Sequence, residues 1–321
     1  MPPPPKKALV VFGATGQQGS SLIRYILHDP LLSSTYHIRA ITRNPSHHPS
    51  TQTLTSLSPD IEIIQADANH PPSLLHALHS SHTVFSMTMP DFHSPSAKET
   101  EIAQGKAIVD AAVACGTQHI IFSSLPNVSR ISGGKYTQVE YFDAKAEVEE
   151  YIRGLGRLIR CTFYVPGWFM QNFRGHMRVD EDGKSRILVN IVSPGTKLPM
   201  IDPKEDTGRV LGDVLREEEE ERVGGTGRVL EAKEAVYSFQ EVVEIMTEVL
   251  GERVEYRQVS EEEFTRGVPR IFGDRLVDMM RYIEEFGYFG HGVEEKEEME
   301  EEEGRERLTG FREYLAREGL E

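Results

Sequence analysis

Three glycines near the start of the chain, set between a strand and a helix, constrain it most. Ala8 to Phe12 is a short apolar run, Gly13, Gly16 and Gly19 follow, and Ser20 to Leu27 has helical character. A sharp strand-to-helix turn favours residues without Cβ. Bare N–H groups at a helix N-terminus, with the helix dipole behind them, suit a pyrophosphate. Glycine clusters also build ordinary turns, but this one has the strand–turn–helix context of a dinucleotide site.

The end of the second strand bears on which dinucleotide is expected. That strand is Tyr36 to Arg43, and no Asp or Glu occurs between Asp29 and Asp60. A carboxylate there would accept from the ribose 2′-OH of NAD. Arg43 stands near that position instead, with Asn44 beside it. A guanidinium can clamp a 2′-phosphate by paired, charge-assisted hydrogen bonds. An arginine after a strand is otherwise an ordinary surface residue; after this glycine turn it points to NADP(H).

The first half of the chain alternates strands and helices, the rhythm of a doubly wound parallel sheet. A third strand at Ile61 to Ala66 leads to Asp67 and Ala68. A helix over Pro72 to His79 precedes a fourth strand, Thr83 to Met87. A long helix over Ser96 to Cys115 stops at Gly116, and a fifth strand, His119 to Ser124, ends in hydroxyls. Ligands of such sheets bind outside the carboxyl ends of the strands. Asp67, Thr88, Met89, Ser123 and Ser124 are therefore expected on the cofactor edge. After a loop from Leu125 to Gly134, a helix carries Tyr141 and Lys145, four apart and so on one face. An ammonium there can lower the phenol pKa and hold a ribose, while the phenol passes a proton to a developing alkoxide. A serine of the fifth strand could bind the same oxygen.

Together these motifs identify the chain as resembling the NmrA-like branch of the atypical short-chain dehydrogenases/reductases. The residues that carry the resemblance are Gly13-Ala14-Thr15-Gly16-Gln17-Gln18-Gly19, Thr42-Arg43-Asn44-Pro45, residues 104–112, 119–125 and 142–151, and Pro166-Gly167-Trp168-Phe169-Met170-Gln171-Asn172-Phe173. The resemblance covers most of residues 7–210, and Phe239 to Leu250 looks like a family helix. It implies a Rossmann-type sheet with a smaller C-terminal α+β domain, and NADP(H) as cofactor. By position, Gly13, Thr15, Gly16, Gln17 and Gly19 would cradle the pyrophosphate and Arg43 would meet the 2′-phosphate. Asp67 and Ala68 would flank the adenine, Lys145 would hold the nicotinamide ribose, and the Tyr164 to Gly167 segment, Pro166 included, would run beside the nicotinamide. Family members are either reductases or NADP(H)-binding regulators; the latter often lack the tyrosine that stands here as Tyr141. The expected activity is NADPH-dependent reduction of a small apolar carbonyl or activated double bond. The alternative is an NADP(H)-sensing transcriptional or redox regulator that acts on a protein partner.

The expected organisation is a leader over 1–6, a nucleotide-binding domain over 7–165, and a smaller domain over 166–321, part of which returns to the first sheet. Trp168, Phe169 and Phe173 are as compatible with a substrate pocket as with core, and Phe286, Tyr288 and Phe289 could close such a pocket as a loop. The net charge of −16 is local: Glu217 to Glu221 contribute −5 and residues 294–303 contribute −7, leaving −4. Such runs read as solvated faces or a mobile segment, and the balance argues against direct nucleic-acid binding. Twelve histidines and two cysteines show no zinc-type spacing, so no metal is expected. Cys115 and Cys161 in apolar surroundings suggest a reducing compartment. Residues 1–7 lack the apolar core of a signal peptide, and no apolar run is long enough to span a bilayer. A cytoplasmic protein is expected, nuclear if regulatory; a homodimer is compatible with the sequence.

Overall fold

The computed structural model describes residues 5–92, 94, 96–179, 185–219, 227–291 and 306–319. Most of the expected leader, Glu220 and Glu221 of the first acidic run, and the segment 294–303 lie outside them. In chain order, β1 (Lys7–Val11), α1 (Gln17–His28), α2 (Pro30–Thr35), β2 (Tyr36–Thr42), α3 (His48–Leu57), β3 (Glu62–Gln65), α4 (Pro71–Leu78), β4 (Ser81–Ser86), α5 (Ala97–Ala114) and β5 (His119–Ser123) build the first half. Next come α6 (Val128–Ile131), α7 (Glu140–Gly154), β6 (Arg160–Pro166), β7 (Trp168–Phe169), β8 (Met177–Val179), β9 (Arg186–Asn190) and β10 (Lys197–Ile201). The chain continues through α8 (Pro203–Glu219), β11 (Arg228–Ala232), β12 (Ala235–Ser238), α9 (Phe239–Leu250), β13 (Val254–Gln258), α10 (Glu261–Phe264), α11 (Arg270–Phe286) and α12 (Phe311–Glu318).

Two compact units result, and the chain passes between them more than once. The first holds residues 1–125, 144–165 and 203–230; the second holds 126–143, 166–202 and 231–321. A single boundary at 165 therefore does not describe the division. Residues 126–143 belong with the second unit, and 203–230 return to the first.

The first unit carries a sheet ordered β3-β2-β1-β4-β5-β6-β11. The pairs β1–β2, β2–β3, β1–β4, β4–β5 and β5–β6 are all parallel. Central strands of such sheets are covered on both faces and read as continuous apolar runs; every residue of β5 is buried. One face carries Val84, Ile120, Phe122 and Phe163 against Ile108, Val109, Val148 and Ile152 of α5 and α7. Close approach of those helices needs Gly105, where a Cβ would stand 2.6 Å from Val148 Cγ2. Helices α1 and α8 pack through Gly208, where a Cβ would meet the Ser21 carbonyl oxygen at 2.5 Å. The strand order reverses between β1 and β4, which puts the ligand crevice outside their carboxyl ends.

The second unit contains two three-stranded sheets, β12-β10-β7 and β13-β9-β8. Its helix α9 starts at a complete capping box, Ser238 with Glu241, and ends at Gly251 in the left-handed region (φ 67°). Trp168 and Phe173 pack in an aromatic core with ring centroids 6.3 Å apart, and Phe173 continues to Phe311 at 5.7 Å. Only Phe169 of the three candidate pocket residues is half-buried. Tyr288 and Phe289 are buried too, at 5.2 Å from each other, with Phe142 against Tyr288. They are core of this unit, not a loop that closes a pocket. Burial of these large rings, together with aliphatic side chains such as Leu188, Leu198, Val242 and Met246, stabilises this unit.

The acidic run at the end of α8 is also more than a solvated face. Glu217 pairs with Arg228, and Glu218, with a side chain 9% exposed, pairs with Arg160 and His119. Among the described residues no helix is long and apolar enough to cross a membrane, and no cluster of His, Cys, Asp and Glu could hold a metal ion.

Candidate functional site

The glycine turn stands directly after β1. Gly13 has φ 65°, the left-handed conformation that β-carbon-bearing residues avoid. The Gly16 N–H closes the turn on the Gly13 carbonyl at 2.8 Å. Gly16 is the N-cap of α1 and has no side chain to satisfy the first N–H groups, and no acid stands in the first turn. Gly13, Thr15 and Gln17 are exposed and Gly16 is half-buried. An anion therefore meets bare donors at this helix end without a competing carboxylate. Gly19 has a different part, because it is buried and lets α1 sit against the turn itself.

At the end of β2, Arg43 is exposed and its carbonyl accepts from Gln65 Nε2 at 3.0 Å. Its guanidinium has no hydrogen-bond or ion-pair partner among the described residues. Asn44 Oδ1 accepts from the Ser46 N–H at 3.1 Å, which fixes the turn that carries the arginine. The carboxylate of Glu62 on the neighbouring strand is engaged by Arg39 and His37, at 2.8 and 3.1 Å, so it does not repel a phosphate beside Arg43. Past β3, Asp67 accepts the Asn69 N–H at 2.8 Å and its backbone is held by Ser73, which sets Asp67 and Ala68 at the strand end. These features fit a bound dinucleotide with a 2′-phosphate.

At the end of β4 stands a cluster of which the sequence reading foresaw only part. Lys145 Nζ donates to the Thr88 carbonyl at 2.7 Å, the Thr88 hydroxyl at 3.0 Å and Glu101 Oε1 at 2.5 Å. The Thr88 hydroxyl in turn donates to the same Glu101 oxygen at 2.6 Å. Burial lowers the Lys145 pKa, and the Glu101 carboxylate opposes that shift. Glu101 is a functional candidate that the motifs did not reveal. Its signal was its place on the buried stripe of α5, with Ala97, Gly105, Ile108 and Ala112. Met89, by contrast, is 72% exposed. Ser123 and Ser124 lie buried at the end of β5.

Tyr141 belongs to the second unit although it stands one turn before Lys145 in α7. Its hydroxyl donates to Met279 Sδ at 2.9 Å. Burial pushes the phenol pKa up, against a smaller opposing effect of the Arg275 charge. The expected lowering by Lys145 is not what governs this phenol; desolvation is. Tyr164 offers no side-chain group to a ligand, because its hydroxyl is bonded to Thr207 Oγ1 at 3.0 Å and its carbonyl accepts the Ser124 N–H. Gly167, next to the buried Pro166, is needed by packing: a Cβ there would meet the Pro199 carbonyl oxygen at 2.5 Å.

The sequence profile of the NmrA-like family matches residues 5–315. The chain belongs to the NmrA-like family. Among its relatives is the NmrA-like family domain-containing oxidoreductase FrzB of a Cladobotryum species, 29% identical over 84% of this chain and 82% of that protein. An NmrA-like family domain-containing protein of Dictyostelium discoideum is 25% identical over 96% and 97%. The solved structure of NmrA, a negative transcriptional regulator, in complex with NAD is 25% identical with a TM-score of 0.74, over 97% of this chain and 95% of that one. The Citrobacter triphenylmethane reductase complexed with NADP(H) shares the fold, with a TM-score of 0.70 at 21% identity over 96% and 99%.

Proposed function

We propose that this NmrA-like protein binds NADP(H) and is an NADPH-dependent reductase of a small apolar substrate with a carbonyl or an activated double bond. Gly13, Gly16 and the first turn of α1 hold the pyrophosphate, and Arg43 holds the 2′-phosphate. The nicotinamide, when bound, supplies the hydride. The observation that carries the enzymatic reading is the buried Lys145–Glu101–Thr88 cluster at the carboxyl end of β4. An ion pair withdrawn from water is costly to build, and such groups concentrate where chemistry is done. The oxidoreductase names of several relatives agree with it.

Tyr141 is the proton donor of this reading. Its raised pKa keeps the phenol protonated, and its bond to a thioether, a weak acceptor, is easily exchanged for a substrate oxygen. The same contact favours a second reading, in which Tyr141 is packing for the second unit and the protein is an NADP(H)-sensing regulator. Steady oxidation of NADPH by the purified protein, followed against a panel of carbonyls and quinones, separates the two. Turnover on any of them supports the reductase; none on all of them, with NADPH bound, supports the regulator.

A further inference from the structure

The surroundings of Lys145 go beyond what a ribose-binding lysine needs. An ammonium has three donors, and three acceptors already stand around it, two on Thr88 and one on Glu101. The Lys145 side chain is 11% exposed and that of Glu101 is 0% exposed, so both members of the pair are withdrawn from water, the carboxylate completely. Glu101 is the charged group that opposes the effect of burial on Lys145. Other charged neighbours are paired elsewhere: Lys98 of α5 with Glu147 of α7 at 2.8 Å, and Glu149, one turn on in α7, with Arg153 at 2.7 Å. One turn earlier in α7, the Tyr141 phenol is kept protonated by burial. From β6, Tyr164 is bonded to Thr207.

The strand register adds a second observation. Ser86 and Thr88 are two apart, and Ser86 pairs with Phe122, two before Ser124. Side chains two apart in a strand share a face, so Ser86 lies with Val84 and Phe122 at the carboxyl end of the face that α5 and α7 cover, and Thr88 and Ser124 stand just past the ends of β4 and β5. Ser86 Oγ, Ser124 Oγ and Glu101 Oε2 are buried and have no hydrogen-bond partner among the described residues. Buried polar atoms are nearly always satisfied. Three exceptions around one ion pair mark a polar site rather than a salt bridge sealed in an apolar core.

We propose that Glu101 is a positioning residue for the cofactor. It fixes Lys145 as a charged donor at the end of β4, so that one of the three bonds can pass to a sugar hydroxyl of the nicotinamide half while the others keep the ammonium in place. This rests on the NADP(H) reading above. Without Glu101, Lys145 is a buried amine with no counter-charge and loses its proton more readily as pH rises.

The test is Glu101→Gln in the full chain, by calorimetric titration with two probes from about pH 6 to 9, the range over which a destabilised lysine charge is lost. The probes are NADP+ and adenosine 2′,5′-bisphosphate, which carries the same 2′-phosphate but no nicotinamide ribose. The parent should hold NADP+ over the bisphosphate by a ratio that is flat with pH. In Glu101→Gln, NADP+ affinity should approach the parent at the acid end and fall about 10- to 100-fold below it at the alkaline end, the scale of one charge-assisted hydrogen bond. Bisphosphate affinity should stay within about twofold of the parent at each pH, since the phosphate contacts are untouched. Unchanged NADP+ affinity at every pH, or an equal loss for both probes, overturns the proposal and leaves the pair structural. Binding of neither probe by the parent overturns the NADP(H) reading itself. Should Glu101→Gln fail to fold, Glu101→Asp keeps the charge and withdraws the oxygen by one methylene. It should weaken NADP+ alone, and equal affinity with the parent for both probes overturns the proposal in the same way.

Discussion

Gly19 lies so close to Gly13 that a Cβ on it would stand 2.3 Å from the Gly13 carbonyl oxygen and 2.7 Å from the carbonyl carbon. The turn is therefore folded back against its own helix. Gly16 is looser, since a Cβ there would meet that oxygen at 3.2 Å, and its φ of −78° and ψ of 174° suit any residue. Packing requires glycine at position 19, whereas at Gly16 the reason for glycine is the proposed approach of the pyrophosphate to the open helix end.

The two substitutions should differ accordingly. Gly19→Ala forces backbone apart and should destabilise the protein by about 1–3 kcal/mol, with or without ligand. Gly16→Val should unfold near the parent temperature yet lose the stabilisation that NADPH gives by mass action. Thermal unfolding of both variants with and without NADPH checks this. If Gly16→Val gains as much from NADPH as the parent, the turn is not the pyrophosphate site.

Arg43 gives a cleaner case, because it is exposed and unpaired among the described residues. Arg43→Ala should leave stability within about 0.5 kcal/mol, as for surface substitutions away from special features. Its effect should fall on the choice of cofactor, removing on the order of 1.5–3 kcal/mol of NADPH binding and hardly touching NADH. Competitive titration of the two cofactors reads the preference directly. A parent that binds them equally would end the 2′-phosphate assignment.

How much of this was legible in the sequence follows the range of the interactions. The glycine turn, the arginine after β2 and the buried β5 are local patterns; the bounds of α9 came from the family resemblance, and the structure shows that they are locally encoded too, by the N-cap Ser238 with Glu241 and by the apolar Val242, Val243, Ile245 and Met246. The small sheets of the second unit were not. β7 has two residues and β8 three, too short for an alternation to register, and β13 pairs with β9 across more than sixty residues of chain. In the site, Lys145 was visible as a motif, but the meaning of Glu101 depends on a partner 44 residues away. The direction of Tyr141 depends on Met279, 138 residues away.

A pH dependence of stability should arise far from the glycine turn, at the start of β5. His119 is 1% exposed, with Nδ1 3.0 Å from Glu218 Oε2 and Nε2 2.9 Å from Thr162 Oγ1. Burial, reinforced by the Arg160 charge, holds the imidazole below its ordinary 6.5 against the pull of Glu218. The unfolded chain therefore takes up a proton first, and stability should fall as pH drops below about 6.5. Burial would raise the Glu218 carboxyl, but His119 and Arg160 hold it down from 4.5 to about 2. Its contribution is complete above 4.5 and is lost as pH falls towards 2, for roughly 3 kcal/mol at most. Urea unfolding across this range should show both losses, and Glu218→Gln should lack the second. Equal stability of the parent at neutral pH and near pH 4 would remove this account.

Tyr141 separates the two functional readings. Tyr141→Phe removes the hydroxyl and keeps the ring, which packs edge-on against Phe142 at 5.0 Å. The lost bond ends on a thioether sulfur, so little stability should go with it. NADPH affinity should hardly change, because the groups assigned to the cofactor are the glycine turn, Arg43 and Lys145. In a reductase, turnover should drop by about 10²-fold or more, the scale for loss of a positioned general acid. The raised pKa of the phenol sharpens this expectation, since a group that stays protonated serves as a donor throughout the neutral range. In a regulator, the same variant should keep both cofactor and partner binding. Unchanged turnover on a substrate that the parent reduces would exclude Tyr141 as the proton donor and move that role to another group at the end of β4 or β5, with Lys145 the first to substitute.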